Sequence, residues 1–309
     1  MNRLLEALRS GRVLLMDGAM GTELQRLGLA DPVPERAIDD RDYHIQLPER
    51  SEAWNLRNPG RVCSVHRAYL EAGAEVLLTN IFQANPNACH QAGLPIREVW
   101  EAALRHARFF GGPPPFVLAD VGPVVEPSEP MRIRRGGNEE AVQLDLCRRA
   151  DGLLLETFNA RNPISCTVAI IDETKGPERP LLLSFAFKGD SLTRRTEAVD
   201  CAHVAKMLGA SALGANCGAE MDIDDLLEIV QVYRRHTELP LFVRPNAGTP
   251  VRTASGWEYP RSPEYMTDKL WPLLEAGVTM VGGCCGTTPA HIAAFRRVVD
   301  EWNARKRGK

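Results

Sequence analysis

Leu181-Leu182-Leu183-Ser184-Phe185-Ala186 is apolar at every position but one and shows no polar–apolar alternation. A strand with one wet face alternates with a period of two, whereas a strand buried on both faces reads as a continuous apolar run. Such strands belong to parallel sheets covered by helices. Seven further runs of this kind lie at 13–17, 75–80, 116–121, 152–157, 212–217, 241–246 and 279–284. Helical periodicity fills most of the intervals. Val62, Val65, Tyr69 and Ala72 share one face of 62–72, and 199–208 and 224–235 read the same way. Eight β-α repeats predict a parallel sheet. The count and the length of 309 residues fit closure into a single (β/α)8 (TIM) barrel spanning 1–309. The competing open, doubly wound sheet places a glycine-rich phosphate loop after its first strand, and Gly18-Ala19-Met20-Gly21 lacks that spacing.

Composition narrows the function. The chain is 44% hydrophobic and 25% charged, as in a globular enzyme. Its 37 basic and 40 acidic residues give a net charge of -3, which lends no support to a nucleic-acid or membrane-surface partner. The basic cluster Met131-Arg132-Ile133-Arg134-Arg135 has no aromatic residues among it and reads as a solvated loop. The N-terminus lacks an apolar signal core, and no run reaches transmembrane length without charge, so a cytoplasmic protein is expected. Two segments interrupt the repeat: 31–58, with Pro32, Pro34 and Pro48, and 124–138. As βα connections they would border the active-site face, either as lids or as passive surface loops.

The cysteines divide into two groups. Cys63, Cys147 and Cys201 fall on predicted helices and Cys89 and Cys166 within or beside them, where each reads as a small buried residue. Cys217 ends the sixth strand in Gly214-Ala215-Asn216-Cys217-Gly218, and Cys284 and Cys285 end the eighth in Gly282-Gly283-Cys284-Cys285-Gly286. All three therefore reach the carboxyl mouth of the barrel, where this fold keeps its catalytic residues. Adjacent cysteines are strained disulfide partners. The flanking glycines leave room for both to bend toward one metal. Three thiolates on a tetrahedral ion leave one position open, as in catalytic zinc sites, and sulfur selects Zn2+ over magnesium or calcium. The thiolate charge makes such an ion a weak Lewis acid, suited to holding a fourth thiolate deprotonated and nucleophilic. Spacing alone leaves the other reading open, a pair of buried cysteines with no metal.

Motifs along most of the chain resemble the homocysteine S-methyltransferase family. They are Met16-Asp17-Gly18-Ala19-Met20-Gly21-Thr22-Glu23, Ala72-Gly73-Ala74 with Thr79-Asn80, Gly122-Pro123, Glu156-Thr157, Asn216-Cys217-Gly218, Pro245-Asn246-Ala247-Gly248, and Gly282-Gly283-Cys284-Cys285-Gly286-Thr287-Thr288-Pro289 with His291-Ile292. The Pro-Asn-Ala-Gly and Cys-Cys segments are most similar to the homocysteine-binding module of cobalamin-dependent methionine synthase; betaine–homocysteine methyltransferase belongs to the same family. The resemblance implies a barrel with a three-cysteine zinc site and L-homocysteine as the acceptor. It implies Asp17 and Glu156 for the substrate ammonium, Gly18 and Ala19 backbone N–H groups for its carboxylate, and Asn80, Ser184, Asn216 and Asn246 around the pocket. A salt bridge or helix cap is the plain alternative for the two carboxylates, loop chemistry for Asn80 and Asn246, and capping for His291. The chain departs from the family at Ala119-Asp120-Val121-Gly122-Pro123, in 31–58, and in 159–165, which lacks a glutamate.

The reaction so implied is direct displacement, in which the thiolate attacks an activated methyl group and methionine forms. The donor is open: betaine, S-methylmethionine, S-adenosylmethionine or methylcobalamin. A cobalamin loop needs Asp-x-His-x-x-Gly, and Asp42-Tyr43-His44-Ile45-Gln46-Leu47 lacks the glycine, so a corrinoid would come from a separate protein. Tyr43, Trp54, Phe82, Phe187, Trp257 and Tyr259 are candidates for an aromatic cage around a cationic donor. The alternative function is a thiol- or corrinoid-protein-binding subunit that does not turn over alone.

Overall fold

The computed structural model describes residues 2–28, 50–110, 113–123, 147–159, 179–216, 218, 221–253 and 256–308. Its strands are β1 (Leu14–Leu15), β2 (Val76–Leu78), β3 (Phe116–Val121), β4 (Gly152–Phe158), β5 (Leu181–Phe185), β6 (Ala212–Ala215), β7 (Leu241–Val243), β8 (Val251–Thr253), β9 (Gly256–Glu258) and β10 (Val278–Val281). Eight of them form one parallel sheet in the order β1-β10-β7-β6-β5-β4-β3-β2. The two ends of that sheet meet at a parallel bridge between Met16 and Val76. Asp17 N–H donates to Val76 O at 2.9 Å and Glu75 N–H to Leu15 O at 2.7 Å, which closes the barrel. The expected α/β TIM barrel is the observed fold. The remaining pair, β8 and β9, makes an antiparallel hairpin beyond β7 that the sequence did not announce.

Side chains alternate along each barrel strand. Leu14, Met16, Val76, Leu78, Phe116, Leu118, Leu154, Leu182, Phe242 and Met280 form an inner cluster. Leu4 and Leu8 join it from helix α1 (Arg3–Arg9), which plugs the amino-terminal end. The intervening residues, such as Leu77, Val117, Leu153, Leu183 and Val243, pack outward in a second cluster with the helices.

The covering helices are α2 (Met20–Gly28), α3 (Trp54–Arg57), α4 (Pro59–Glu71), α5 (Pro86–Gln91), α6 (Ile96–Arg108), α7 (Ser191–Met207), α8 (Ile223–His236), α9 (Pro263–Asp268), α10 (Leu270–Glu275) and α11 (Pro289–Arg307). Prolines open α4, α5, α9 and α11. Asp190 caps α7 through Thr193 N–H, and Asp222 with Asp225 forms a capping box on α8. The three helical patterns read from sequence coincide with α4, α7 and α8, the first two running one residue past the helix end to the caps Ala72 and Leu208. Several strands end sooner than their apolar runs: 75–80 becomes Val76–Leu78 and 241–246 becomes Leu241–Val243. In segment 31–58, residues 31–49 lie outside the described residues, and 50–58 holds a 3-10 turn (Ser51–Ala53) and α3. The segment 124–138 lies wholly outside them. No helix among the described residues is long and apolar enough to cross a membrane.

Candidate active site at the carboxyl end of the barrel

Inward alternation carries past the apolar layer into a polar one. Leu118 leads to Asp120, Leu154 to Glu156, Leu182 to Ser184, Ala212 through Gly214 to Asn216, Phe242 to Arg244, and Met280 through Gly282 to Cys284. Asp120, Glu156, Ser184, Asn216, Arg244 and Cys284 are all buried.

Arg244 lies at the centre of the charges and is 3% exposed. Its Nη1 pairs with Glu156 Oε1, its Nη2 lies 3.5 Å from Asp17 Oδ1, and Nη2 donates to Gly18 O at 3.4 Å. Burial disfavours its charge, yet Glu156 and Asp17 more than offset that and raise its pKa. Burial pushes the Asp17 carboxyl up to about 7 although Arg244 opposes it, and does the same to Glu156, also to about 7. Asp120 is pushed well above the ordinary carboxylate range by burial and then by the Glu156 charge. Glu156, Asp120 and Arg244 all sense the Cys284 sulfur. The other Asp17 oxygen, Oδ2, accepts from Leu78 N–H at 2.8 Å. Asp17 is thus also part of the barrel seam.

The polar wall is a connected network. Asn216 Oδ1 accepts from Ser184 Oγ at 2.7 Å and from Thr157 N–H at 3.3 Å, while its Nδ2 donates to Thr157 Oγ1 at 2.7 Å. Thr157 has φ of +65°, a costly conformation for a β-branched residue, at a register shift in β4. Its two bonds to Asn216 hold that conformation, which immediately follows Glu156 and sets its reach. Asn80 has a structural task. Its Nδ2 donates to Ser51 O at 2.8 Å, and its own carbonyl accepts from Asn55 Nδ2 at 2.7 Å, pinning 51–57 to the barrel. Asn246 is buried, and its Oδ1 has no hydrogen-bond partner among the described residues. Ala19 N–H donates to Thr287 Oγ1 at 3.2 Å, so that backbone donor already has an internal acceptor.

Cys284 and Cys285 sit on the loop after β10, Cys284 buried and Cys285 partly exposed. The loop is threaded between two others. Gly283 N–H donates to Asp17 O at 2.9 Å, Cys284 N–H to Pro245 O at 2.8 Å, and Cys285 O accepts from Ala247 N–H at 2.9 Å. A side chain at Gly283 would overlap Thr287. Two adjacent thiols, fixed by backbone bonds beside a carboxylate cluster, are a donor set that suits a soft metal ion. Cys217 lies outside the described residues. No group of three or more candidate metal-ligating side chains is found among those described. His291 acts as a cap: Nδ1 accepts from Thr288 N–H at 3.2 Å, and Nε2 lies 3.0 Å from Arg261 O.

The other described cysteines are helix residues or buried packing, and the aromatics vary in place. Cys89 and Cys201 are buried on helices, Cys147 is buried, and Cys63 is partly buried on α4; Cys166 lies outside the described residues. Trp54 is buried under Arg61, and Phe187 is buried against Tyr233. Phe82 packs where a Gly122 side chain would stand, and Tyr259 where one on Gly286 would. Tyr43 and the Trp257 side chain lie outside the described residues. Arg244 and Asp120 were not among the expected site residues, although both continue the inward period.

Known proteins place this architecture. The homocysteine methyltransferase MmuM of Escherichia coli shares the fold. Its metallated form matches with a TM-score of 0.66 at 24% identity, over 94% of this chain and 99% of that one. Its oxidized form matches at 0.68 and 24%, over 96% and 100%. A methionine synthase of Mycobacterium tuberculosis is 32% identical over 306 residues, and one of Mycobacterium leprae is 29% identical. The chain spans about a quarter of each of those two proteins, 24% and 25% of their lengths. The profile of the family described as homocysteine S-methyltransferase matches residues 14–299, and this chain belongs to that family.

Proposed function

We propose that this chain is a zinc-dependent S-methyltransferase that transfers a methyl group to the thiol of L-homocysteine and forms methionine. The observation that carries the reading is the Cys284-Cys285 pair, locked at the carboxyl end of β10 against the buried Asp17–Glu156–Arg244 cluster. Cys284, Cys285 and Cys217 would hold the zinc. When bound, the metal supplies a means of keeping the acceptor thiol deprotonated near neutral pH. Family membership supports the acceptor, and the metallated form of the Escherichia coli methyltransferase supports a metal.

The residues supply position and charge. The carboxylate cluster receives the amino-acid end of the acceptor, with Gly18 N–H at its carboxylate and Ala19 N–H shared between that carboxylate and Thr287 Oγ1. Ser184 and Asn216 form a rigid wall, and Asn80 and Asn246 border the mouth. In the reaction a sulfur–carbon bond forms as the bond from the methyl carbon to its carrier breaks. The carrier leaves with that electron pair, and the thiol proton has gone to solvent. Orientation and a dry site account for the rate. No covalent bond to the enzyme is required.

A second reading is a module that holds the thiol while a separate corrinoid protein delivers the methyl group. It is favoured by the matched region being a quarter of the length of the two methionine synthases. Zinc K-edge absorption on anaerobically purified protein tests the first claim. Three sulfur neighbours, becoming four on adding L-homocysteine, are expected. Zinc that keeps three would remove homocysteine as the acceptor, and the absence of zinc from reduced, intact protein would overturn the metal. Methyl transfer from free donors by the purified chain separates the two readings.

A further inference from the structure

We infer that Asp120 receives the ammonium group of the acceptor amino acid and so decides whether the site takes an amino-thiol in preference to a plain one. The inference rests on the acceptor reading above and moves one role within it. Asp17 and Glu156, which the family motifs assign to the ammonium, already have a resident cation. Arg244 Nη1 pairs with Glu156, Nη2 lies 3.5 Å from Asp17, and Asp17 Oδ2 holds Leu78 N–H. A guanidinium forks across carboxylates and stays charged when buried, so it is not readily displaced by an ammonium.

Asp120 is in the opposite condition. It is 6% exposed, on the inward line of β3, and its Oδ1 has no hydrogen-bond partner among the described residues. A buried carboxyl oxygen without a donor is among the least tolerable groups in a protein interior and calls for a donor or a cation. Asp120 belongs to the same electrostatic cluster, since Glu156, Arg244, Asp17 and Cys284 all act on it. Three carboxyl groups there face one guanidinium, so a further cation would favour their ionised forms. An incoming ammonium supplies both that cation and the missing donor to Asp120 Oδ1. Specificity follows, because a buried acceptor left unpaired rejects an analogue without the donor far more strongly than a loss of apolar contact would.

Calorimetric titration of the full chain, zinc-loaded and reduced, with L-homocysteine and with its des-amino analogue 4-sulfanylbutanoate tests this. The wild type is expected to prefer homocysteine by about a hundredfold or more. Asp120→Asn should bring that ratio to within about threefold of unity, at a less than about threefold change in the analogue's Kd. The unchanged analogue affinity reports an intact fold and metal site. Asp120→Ala should behave the same way. If Asp120→Asn keeps the preference while Glu156→Gln abolishes it, Asp120 is not the ammonium site and the inference fails alone. If the wild type binds neither thiol, the acceptor reading fails and takes the inference with it.

Discussion

A single imidazole illustrates how much one buried group can bias this protein. His66 on α4 is fully buried, both ring nitrogens lack a hydrogen-bond partner, and the ring lies edge-on to Phe110 at 6.4 Å. Burial, with a smaller push from His106, lowers its pKa from 6.5 to about 3. The unfolded chain therefore binds a proton between those values that the native state refuses, and stability falls as pH drops below 6.5. At pH 5 the loss is about 2 kcal/mol relative to pH 7.5. His66→Leu should be at least as stable as wild type at pH 7.5 and should not show this loss. Denaturation midpoints at the two pH values check it, and parallel losses in both proteins would sink the claim. Nothing in the local sequence marks His66, because helical periodicity assigns the position to the core without saying what the ring meets there. Arg244 is different, since its signal was present. A charged residue inside an apolar run read as doubly buried must have a partner. Counting by two from Phe242 places it on the same line as Glu156 and Asp120. The family motifs drew attention to Pro245 and Asn246 and past the residue before them.

At the scale of elements, apolar runs located all eight barrel strands, because burial on both faces suppresses alternation. They overran the strand ends at 75–80 and 241–246 for a physical reason: the last inward positions continue the backbone direction but bond to the mouth loops. The β8–β9 hairpin escaped because Val251, Arg252 and Thr253 are exposed or half-exposed and present no apolar pattern. The glycines around Cys284 and Cys285 were read as room for a metal, and in the structure Gly283 and Gly286 make room for Thr287 and Tyr259. Gly286 has φ of +78°, and a Cβ there would overlap Tyr259 close to its backbone, where the side chain cannot swing away. Gly286→Ala is expected to cost about 2 kcal/mol or more, from the left-handed conformation and the overlap together. Because Cys284 and Cys285 lie on the same turn, the proposed zinc uptake should fall below stoichiometric. Gly21→Ala in α2 is the control: nothing lies within 4 Å of its Cβ position, and alanine favours helix, so stability should hold or rise. Metal analysis and denaturation of the two variants decide it, and full zinc occupancy with wild-type stability in Gly286→Ala would refute the strain argument.

For the whole molecule, the weak place is the seam where β1 meets β2. Every other neighbouring pair in the barrel shares two or more paired positions, but here the ladder is the single Met16–Val76 bridge. Side chains reinforce what the backbone leaves thin. Glu75 accepts from Leu15 N–H at 3.3 Å, from Arg12 at 2.6 Å and from Arg296 at 3.0 Å, and Asp17 accepts from Leu78 N–H. Asn303, near the end of α11, bonds both backbone groups of Val13. Val13 N–H donates to its Oδ1 at 2.8 Å, and its Nδ2 donates to Val13 O at 2.9 Å. A residue 290 positions away in sequence thus acts as a strand partner for the start of β1. Pattern reading has no access to such a pairing, since a lone asparagine in a helix resembles a solvated one. The seam also reaches the charge cluster, because Asp17 is at once a seam acceptor and a neighbour of Arg244. Asn303→Leu removes both bonds while keeping the volume, and leaves Val13 N–H and C=O buried without partners. The expected loss is about 2–4 kcal/mol in equilibrium unfolding. Hydrogen exchange should locate it: the seam amides of Asp17, Glu75 and Leu78 should exchange faster, while those of β4 and β5 follow only the global change. Uniform acceleration across all strands would mean that the barrel opens as one unit and the seam is not its weak place. Preferential opening at Asp17 and Glu75 would mean that Asn303, at the end of α11 remote from the mouth, holds the charge cluster in register.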